Sequence, residues 1–382
     1  MKRLCFLVIC MSIIMGCSTS TSSTKALVDY VDPNIGTAHC RWFFYTPAAI
    51  PFGMAKLAPS TDAHLGNPGG WQAVGYDFRH TSIEGFANFH EFQVGGVVFA
   101  PTVGELQTVP GELENPDGGY RSRFDKKDEV AAPGYYSVLL KDYGVKAELT
   151  AMKRVGFHRY TYPKTEQANL IFDIGNKQGE SGEVKDAEVQ YFEDGRVEGY
   201  VITSPVYVNI YQKGADVRMY FSAVLNKKPV QVGTFVKDVV NPGKHQEKGP
   251  GAGLYMTFST EEQEAVEVKV GLSYTSIENA RFNRETEAAD VTFDQAKKNA
   301  TDVWNESLSR IYVEGGKETD KVKFYTGLFH ALLGRGLASD ANGYYPKNNG
   351  TVGRIALDEE GNPVHQHYNC LLYTSPSPRD CS

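Results

Sequence analysis

The feature that most constrains the fold is an alternation of apolar and polar residues across residues 26–276. Side chains two positions apart lie on the same face of a β-strand, so this alternation allows one face of each strand to be buried. The dipeptide Asp194-Gly195 stands between two alternating runs and favours a two-residue hairpin turn. Because no helical pattern interrupts this region, the sequence predicts one large antiparallel β-sandwich. The clearest runs begin at Val145, Val206, Val217 and Val266.

Beyond this region the apolar residues recur at intervals of three and four, which is the spacing of one helix face. Thr292 and Gln295 form a capping-box pattern and predict a helix near residues 293–311. A second apolar stripe from Val322 to Leu333 predicts a buried helix near residues 320–334. The chain is therefore expected to be mostly β, with helices after the sandwich.

The first residues have the pattern of a secretory signal. Lys2 and Arg3 precede the apolar stretch Leu4–Met15, which is too short to span a bilayer. Gly16-Cys17 follows and resembles a bacterial lipobox, which implies cleavage before Cys17 and lipid attachment to its thiol. The alternative is an ordinary signal peptide with an incidental cysteine. We expect a protein that is lipid-anchored in the bacterial cell envelope, facing the periplasm or the cell surface.

The segment from Cys370 to Asp380 resembles the translation of an adapter used in sequencing libraries. On that interpretation the natural sequence stops near Asn369 and the gene is truncated. The alternative is a genuine tail rich in Ser and Pro. Of the 6 cysteines, only Cys40 lies outside the signal, the lipidation position and this tail. No internal disulfide is therefore expected.

These patterns predict a sandwich followed by a linker helix and the first helix of a further domain. No internal repeat or low-complexity segment is visible in the body of the chain. The expected parts are a signal peptide at 1–16, a Ser/Thr-rich tether at 17–25, the sandwich at 26–276, a helical linker at 277–316, the start of a helical domain at 317–369 and an adapter-derived tail at 370–382.

Composition narrows the function. The chain has 39 Lys and Arg residues against 46 Asp and Glu, and its formal net charge is -7. This balance argues against nucleic acid as a partner, because phosphates are bound by clustered positive charge. Aromatic residues make up 12% of the chain and are dense, together with histidines, between His39 and Gly96. Rings flanked by hydrogen-bonding groups suit a sugar site, although each ring could equally belong to the sandwich core.

A series of short motifs runs in order through the sandwich region and into the predicted helices. They are Tyr30-Val-Asp-Pro-Asn-Ile-Gly-Thr37, Pro51-Phe-Gly-Met54, Gly75-Tyr-Asp-Phe78, Ser82-Ile-Glu-Gly-Phe86, Pro133-Gly-Tyr-Tyr-Ser137, Ala147-Glu-Leu-Thr150, Gly156-Phe-His-Arg-Tyr160, Phe324-Tyr-Thr-Gly-Leu-Phe-His-Ala-Leu-Leu333 and Ser339-Asp340. Together they resemble the N-terminal part of glycoside hydrolase family 92. The shared order makes this resemblance more specific than any one motif.

The resemblance implies an exo-acting, calcium-dependent, inverting α-mannosidase that trims glycans. It also implies an N-terminal β-sandwich, a helical linker and an (α/α)6 catalytic domain, of which this chain would hold only the start. An inverting glycosidase needs two carboxyl groups about 6.5–9.5 Å apart, to admit water. In the family these carboxylates and the calcium ligands lie mostly beyond the part that this chain matches. We therefore expect no catalytic residue, no metal ligand and no activity in this chain alone.

Two stretches depart from the family pattern. Phe44-Tyr-Thr-Pro-Ala-Ala49 replaces a Phe-Pro-Gly-Ala-like turn. Asn88 stands where the first of two histidines is expected, and His90 keeps the second. His39, Arg41 and Trp42 also look like the feature of a subgroup. We expect these differences to lie in the segment that faces substrate and to bear on sugar specificity.

Six residues are candidates for substrate binding, because rings stack on sugar faces and forked donors meet pairs of hydroxyls. Trp71 follows a Gly-rich turn and is expected on a loop, where it either stacks on sugar or packs locally. The Arg41 guanidinium can donate two hydrogen bonds to a sugar diol or pair with an aspartate. His90 can bind a sugar hydroxyl or pack in the protein interior. His365 and His367 have the spacing of metal ligands but lack a third ligand, so we expect them to be solvated. The candidates are Arg41, Trp42, Tyr45, Trp71, His90 and Glu91.

Two functional classes follow from these patterns. The first is an exported exo-glycosidase, seen here as its N-terminal part, with a glycan as substrate and the membrane as a partner through its lipid anchor. The second is a non-catalytic carbohydrate-binding surface lipoprotein. The adapter-like tail favours the first class, because a binding protein would not stop inside the first helices of a second domain. The genomic sequence past Asn369 would distinguish them.

Overall fold

The computed structural model describes residues 25–38, 45–61, 75–90, 95–176, 182–205, 209, 213–334, 336–347 and 350–368. Within these ranges the chain is mostly β, and its sheets are antiparallel. The strands are β1 (Ala48–Ala49), β2 (Lys56–Ser60), β3 (Ser82–Ile83), β4 (Gly85–Ala87), β5 (Val98–Val103), β6 (Ser122–Arg123), β7 (Val130–Ala132), β8 (Tyr135–Leu140), β9 (Val145–Ala151), β10 (Val155–Tyr162), β11 (Thr165–Asp173), β12 (Glu183–Tyr191), β13 (Val197–Ser204), β14 (Val217–Leu225), β15 (Gln231–Val236), β16 (Val239–Pro242), β17 (Gln246–Lys248), β18 (Ala252–Thr260), β19 (Glu264–Ser273), β20 (Tyr344–Pro346) and β21 (Val352–Arg354).

Two large sheets form a sandwich. One has eight strands in the order β1-β2-β4-β5-β11-β18-β15-β16, and the other has nine in the order β17-β12-β13-β14-β19-β10-β9-β8-β7. The main hydrophobic core lies between them, with Phe99 and Met256 contributed by the first sheet and Leu149 and Phe221 by the second. The predicted antiparallel sandwich is confirmed, because both inner faces are apolar and are buried against each other.

Strand β19 shows the predicted alternation most clearly. Its apolar residues at 266, 268, 270 and 272 are all buried, while Glu267 and Lys269 between them are only partly covered. The turn predicted at Asp194-Gly195 joins β12 to β13, which pair in antiparallel register. Gly195 has a φ of 89° there, in the left-handed region that glycine adopts without strain. Most of the run that begins at Val206 lies outside the described residues.

Strand β9 departs from simple alternation. Lys146 is exposed as predicted, but Glu148 and Thr150 on the same face are buried. The Glu148 carboxylate accepts a hydrogen bond of 2.6 Å from the hydroxyl of Tyr135. A helix covers this outer face of the nine-stranded sheet, so that polar positions which alternation assigns to solvent become interior.

Three helices follow the sandwich in the described residues: α1 (Ile277–Ala288), α2 (Phe293–Leu308) and α3 (Glu318–Leu333). The two helices predicted near 293–311 and 320–334 correspond to α2 and α3. The capping box at the start of α2 is present, since the Thr292 hydroxyl accepts from the Gln295 N–H and the Gln295 side chain accepts from the Thr292 N–H. The predicted order of sheets followed by helices is confirmed.

Helix α1 was not predicted as a separate element. It packs on the outer face of β14 and β19, and its closest approach is at Gly271. A Cβ built on Gly271 would lie 2.1 Å from the Ala280 carbonyl oxygen, so only glycine lets the helix approach this closely. The Ser276 hydroxyl caps α1 by accepting from the Asn279 N–H at 3.1 Å.

The segment after α3 folds back onto the sandwich. It forms the short hairpin of β20 and β21, which the sequence patterns did not predict, and Arg218 of β14 donates to the Gly350 carbonyl at 2.7 Å. Across the part of the chain that the structure describes, no helix combines the length and hydropathy of a transmembrane segment.

Candidate functional site

The sandwich meets the helical segment at Lys56, a buried residue of β2. The Lys56 N–H donates to the Asn88 carbonyl and its own carbonyl accepts from the His90 N–H, both at 3.1 Å. Its side-chain ammonium donates to the carbonyl of Leu333 at 2.9 Å. One residue therefore connects the segment that carries His90 to the C-terminal end of α3.

Two of the six predicted substrate-binding residues lie in contact at this junction. The rings of Tyr45 and His90 stack with their centroids 4.2 Å apart and their planes at 20°. The Tyr45 hydroxyl also donates to the backbone carbonyl of His90. Both side chains are buried in this chain, His90 to 3% exposure, so burial fits the interior role that the sequence left open for this histidine.

The other predicted residues lie outside the described residues. These are Arg41, Trp42, Trp71 and Glu91, together with the predicted lipidation site Cys17. Their assignments therefore stay predictions.

The described residues that flank these positions lie close together. The Thr61 N–H donates to the Gly75 carbonyl at 2.6 Å, which brings together the two ends of the 62–74 segment. The Asp77 N–H donates to the Thr61 hydroxyl at 3.0 Å, and the Phe78 N–H donates to the Thr37 carbonyl at 3.3 Å. The structure thus brings the chain on either side of the predicted sugar-binding segments to one edge of the sandwich.

A buried ion pair supports this edge. Arg121 and Glu84 are 3.1 Å apart, with side-chain exposures of 1% and 5%. Arg121 also donates to the Thr61 carbonyl, and Ser60 donates to the other Glu84 oxygen at 2.9 Å. Hydrogen bonds of this kind satisfy charges that would be costly to bury alone. No local sequence pattern pointed to this pair, because its members lie 37 positions apart.

Asn88 occupies the core and not a substrate-facing surface, which corrects the expectation drawn from the family pattern. Its amide oxygen lies 2.8 Å from His158 Nε2, and its amide nitrogen donates to the Val97 carbonyl at 2.6 Å. His158 Nδ1 lies 2.8 Å from the Tyr160 hydroxyl. Burial lowers the pKa of His158 to about 3, so the ring is neutral. Nε2 therefore carries the proton, and Asn88 serves as a hydrogen-bond partner inside the sandwich.

Asp340 is the acid at the junction whose ionisation is most strongly perturbed. It is fully buried, and its carboxylate accepts from the Thr275 hydroxyl and from the Asn283 amide at 2.7 Å. Burial raises the pKa of Asp340 from 3.8 to about 6, against the opposing effect of these hydrogen bonds. The predicted turn is present, since the Gly343 N–H donates to the Asp340 carbonyl at 2.9 Å. The sequence did not reveal that the side chain would be enclosed by α1.

The histidines at 365 and 367 do not form a metal site with other described residues. The His367 ring packs 4.6 Å from Tyr345, and both histidines are exposed. No group of three or more His, Cys, Asp or Glu side chains that could hold a metal ion occurs among the described residues. The described residues therefore offer no side-chain cluster for the calcium ion that the family resemblance implies.

The fold and junction define a class of protein in which a two-sheet antiparallel sandwich packs against a following helical segment. The sequence model of the glycosyl hydrolase family 92 N-terminal domain matches residues 30–273. The model of the family 92 catalytic domain matches residues 279–370. The chain belongs to glycoside hydrolase family 92.

Solved structures agree with this assignment. The chain is similar to the family GH92 alpha-mannosidase BT3965 from Bacteroides thetaiotaomicron, with 28% identity, a TM-score of 0.80, and coverage of 90% of this chain and 45% of that one. The complex of BT3965 with mannoimidazole matches with 27% identity, a TM-score of 0.80, and coverage of 90% and 44%.

The GH92 inverting mannosidase BT2199 from Bacteroides thetaiotaomicron VPI-5482 shares the fold, with 21% identity, a TM-score of 0.72, and coverage of 88% and 44%. This chain thus spans less than half the length of each of these three structures. No curated protein matches its sequence significantly.

Proposed function

We propose that this chain is the N-terminal part of an exo-acting α-mannosidase that trims glycans. The observation that carries the proposal is the similarity, at a TM-score of 0.80 over 90% of the chain, to an alpha-mannosidase that has been solved with mannoimidazole. In this proposal the enzyme inverts the anomeric centre, like the inverting mannosidase BT2199.

The role assigned to the sandwich is binding and not proton transfer. Inversion at a glycosidic bond needs a positioned acid and base. Glu84 and Glu198, two buried carboxylates of the sandwich, are each paired with an arginine, Arg121 at 3.1 Å and Arg281 at 2.6 Å. Burial opposes ionisation of Glu198, but the hydrogen bonds from Arg281 and Ser222 hold the pKa of this carboxyl below its usual range, which makes it a poor proton donor. We therefore assign the catalytic pair to residues other than these.

Calcium dependence is also part of the proposal. A hard cation with oxygen ligands would hold sugar hydroxyls and help to distort the ring. Since the described residues offer no cluster for it, we assign its ligands to the remainder of the family 92 catalytic domain.

We further propose that the protein is exported and anchored by lipid at Cys17. The support is the order of charged, apolar and small residues before this cysteine. Incorporation of labelled fatty acid into the wild type, but not into Cys17→Ser, would be the expected result. Equal labelling of both proteins would contradict the anchor.

The test of the enzyme uses the complete protein, encoded by the genomic sequence. We expect hydrolysis of an aryl α-mannoside that a chelator abolishes, and no hydrolysis by the 382-residue chain alone. Turnover by the 382-residue chain would contradict the assignment of catalysis to the remainder.

Kinetics in the complete protein separate binding from catalysis. Trp71→Ala and Arg41→Ala should each lower kcat/KM. The expected loss corresponds to about 1–3 kcal/mol of transition-state binding energy, the value of one stacking contact or one bidentate hydrogen-bonded contact. Glu91→Gln should leave both limbs of the pH profile in place. If Glu91→Gln removes activity by orders of magnitude and erases one limb, the sandwich carries a catalytic group and the proposal fails.

A further inference from the structure

Two aromatic rings meet at a corner on the surface of the junction. The centroids of Phe52 and Tyr368 are 6.1 Å apart and their planes cross at 76°. Tyr368 is 42% exposed, and Phe52 is partly exposed. In this edge-to-face arrangement each ring keeps part of its surface exposed, and that part can contact a ligand. The C–H-rich face of a pyranose fits a ring face, while its hydroxyls require polar partners nearby.

The Phe52 side of the corner is held in a strained conformation. Phe52 has a φ of 58°, in the left-handed region that residues with a Cβ rarely adopt. Its N–H donates to the Leu332 carbonyl at 3.2 Å, and its carbonyl accepts from the Leu337 N–H at 2.9 Å. Strain of this kind persists only where the surroundings hold it, and it is concentrated at binding and catalytic sites.

The Tyr368 side is also fixed and brings polar groups. The preceding residue His367 donates its N–H to the Ser339 hydroxyl at 3.0 Å, which holds the backbone of this segment. The Tyr368 hydroxyl donates to the Gln366 side-chain oxygen at 2.9 Å. The Gln366 amide nitrogen makes no hydrogen bond to another residue in the described ranges, and it can donate to a sugar hydroxyl beside the rings.

The corner adjoins the junction between Lys56 and the C-terminal end of α3. The Phe52 N–H donates to the carbonyl of Leu332, and the Lys56 carbonyl accepts from the His90 N–H. The Lys56 ammonium donates to the carbonyl of Leu333, the residue after Leu332. The contacts from Phe52 and Lys56 are therefore made to the same turn of α3. We propose that Phe52, Tyr368 and Gln366 form a subsite for one hexopyranose residue of the glycan, an inference that rests on the proposed function and adds a sugar-binding position to it.

The test is a calorimetric titration of the 382-residue chain with an α-linked mannobiose. A single stacking subsite should bind in the millimolar range, so the titration should extend to about 50 mM. Tyr368→Ala should weaken binding at least fivefold, and Gln366→Ala, which leaves both rings in place, about threefold. The control is Tyr312→Ala, which removes a tyrosine that is 65% exposed and should bind as the wild type does.

Thermal unfolding of each variant shows whether it is folded. If folded Tyr368→Ala and Gln366→Ala both titrate like the wild type, or if the wild type binds no mannobiose, the subsite is wrong and the corner is a packing surface. Hydrolysis of an aryl α-mannoside by the complete protein is a separate measurement. An active complete protein whose Tyr368→Ala variant keeps its affinity for mannobiose would refute the subsite but not the proposed function.

Discussion

Lys56 and Leu333, which lie 277 positions apart, are joined by a 2.9 Å hydrogen bond from the lysine ammonium to the leucine carbonyl. Leu333 is the last residue of α3, and the final carbonyls of a helix have no partner within it. The lysine supplies one and places its positive charge at the negative end of the helix dipole. The bond therefore stabilises the helix end and fixes its position against β2.

Replacing Lys56 by methionine should lower the free energy of unfolding by about 1–3 kcal/mol, because the buried Leu333 carbonyl would lose its donor. Methionine keeps most of the buried stem, so packing contributes little to this loss. Chemical denaturation would measure it. The control is Lys141→Met, whose partner Asp125 lies 2.9 Å away in an exposed pair, and which should cost less than about 1 kcal/mol. Equal losses in the two variants would contradict the junction role.

Trp304 of α2 also joins a helix to the sandwich. It is completely buried, its indole N–H donates to the Ala49 carbonyl at 2.7 Å, and its ring lies 4.6 Å from Phe329. Trp304→Phe should destabilise the protein by about 2–4 kcal/mol, since it removes the donor and leaves part of the ring volume empty. Urea denaturation would test this against Phe282→Leu, which alters a ring that is 42% exposed. A shift no larger than that of the control would refute it.

Asp340 should make stability depend on pH. Because its pKa is raised from 3.8 to about 6, the folded state binds a proton that the unfolded state has already released between these values. The contribution of this group to the free energy of unfolding is therefore largest below about pH 4. It is lost as the pH rises through 6, and the total loss is up to about 3 kcal/mol. In Asp340→Asn, the free energy of unfolding relative to wild type should rise by this amount from pH 4 to pH 7. A pH-independent difference would show that the carboxyl ionises normally.

His158 should make stability fall as the pH decreases, which is opposite to the effect of Asp340. Its pKa falls from 6.5 to about 3 on burial, so the unfolded state binds a proton that the folded state rejects. Its contribution is complete above about pH 6.5 and is lost as the pH falls toward 3, with a slope of up to about 1.4 kcal/mol per pH unit.

His158→Gln should therefore show a shallower loss of stability between pH 6 and 4 than the wild type. His245→Gln, at an exposed position, should retain the wild-type slope. The two slopes can be compared by denaturation at a series of pH values. A wild-type slope in His158→Gln would mean that another group controls the acid response.

The sheets and helices were predictable because their signals are local. The alternation of Val266, Val268, Val270 and Leu272 requires one buried face, whatever that face packs against. The capping box at Thr292 and Gln295 likewise uses only neighbours in the chain. The ordered motifs were sufficient to recognise the family, and the family models then matched nearly the same length of chain.

The contacts at the junction depended on tertiary structure, because each joins residues far apart in the chain. Asn88 departs from the family pattern, but only the fold showed that it faces His158 and not substrate. The closeness of Phe52 to Tyr368 and the burial of Asp340 likewise arise where α1, α3 and the sandwich edge converge. Periodicity specifies which face of an element is buried, whereas the partner of that face is selected by packing of the whole chain.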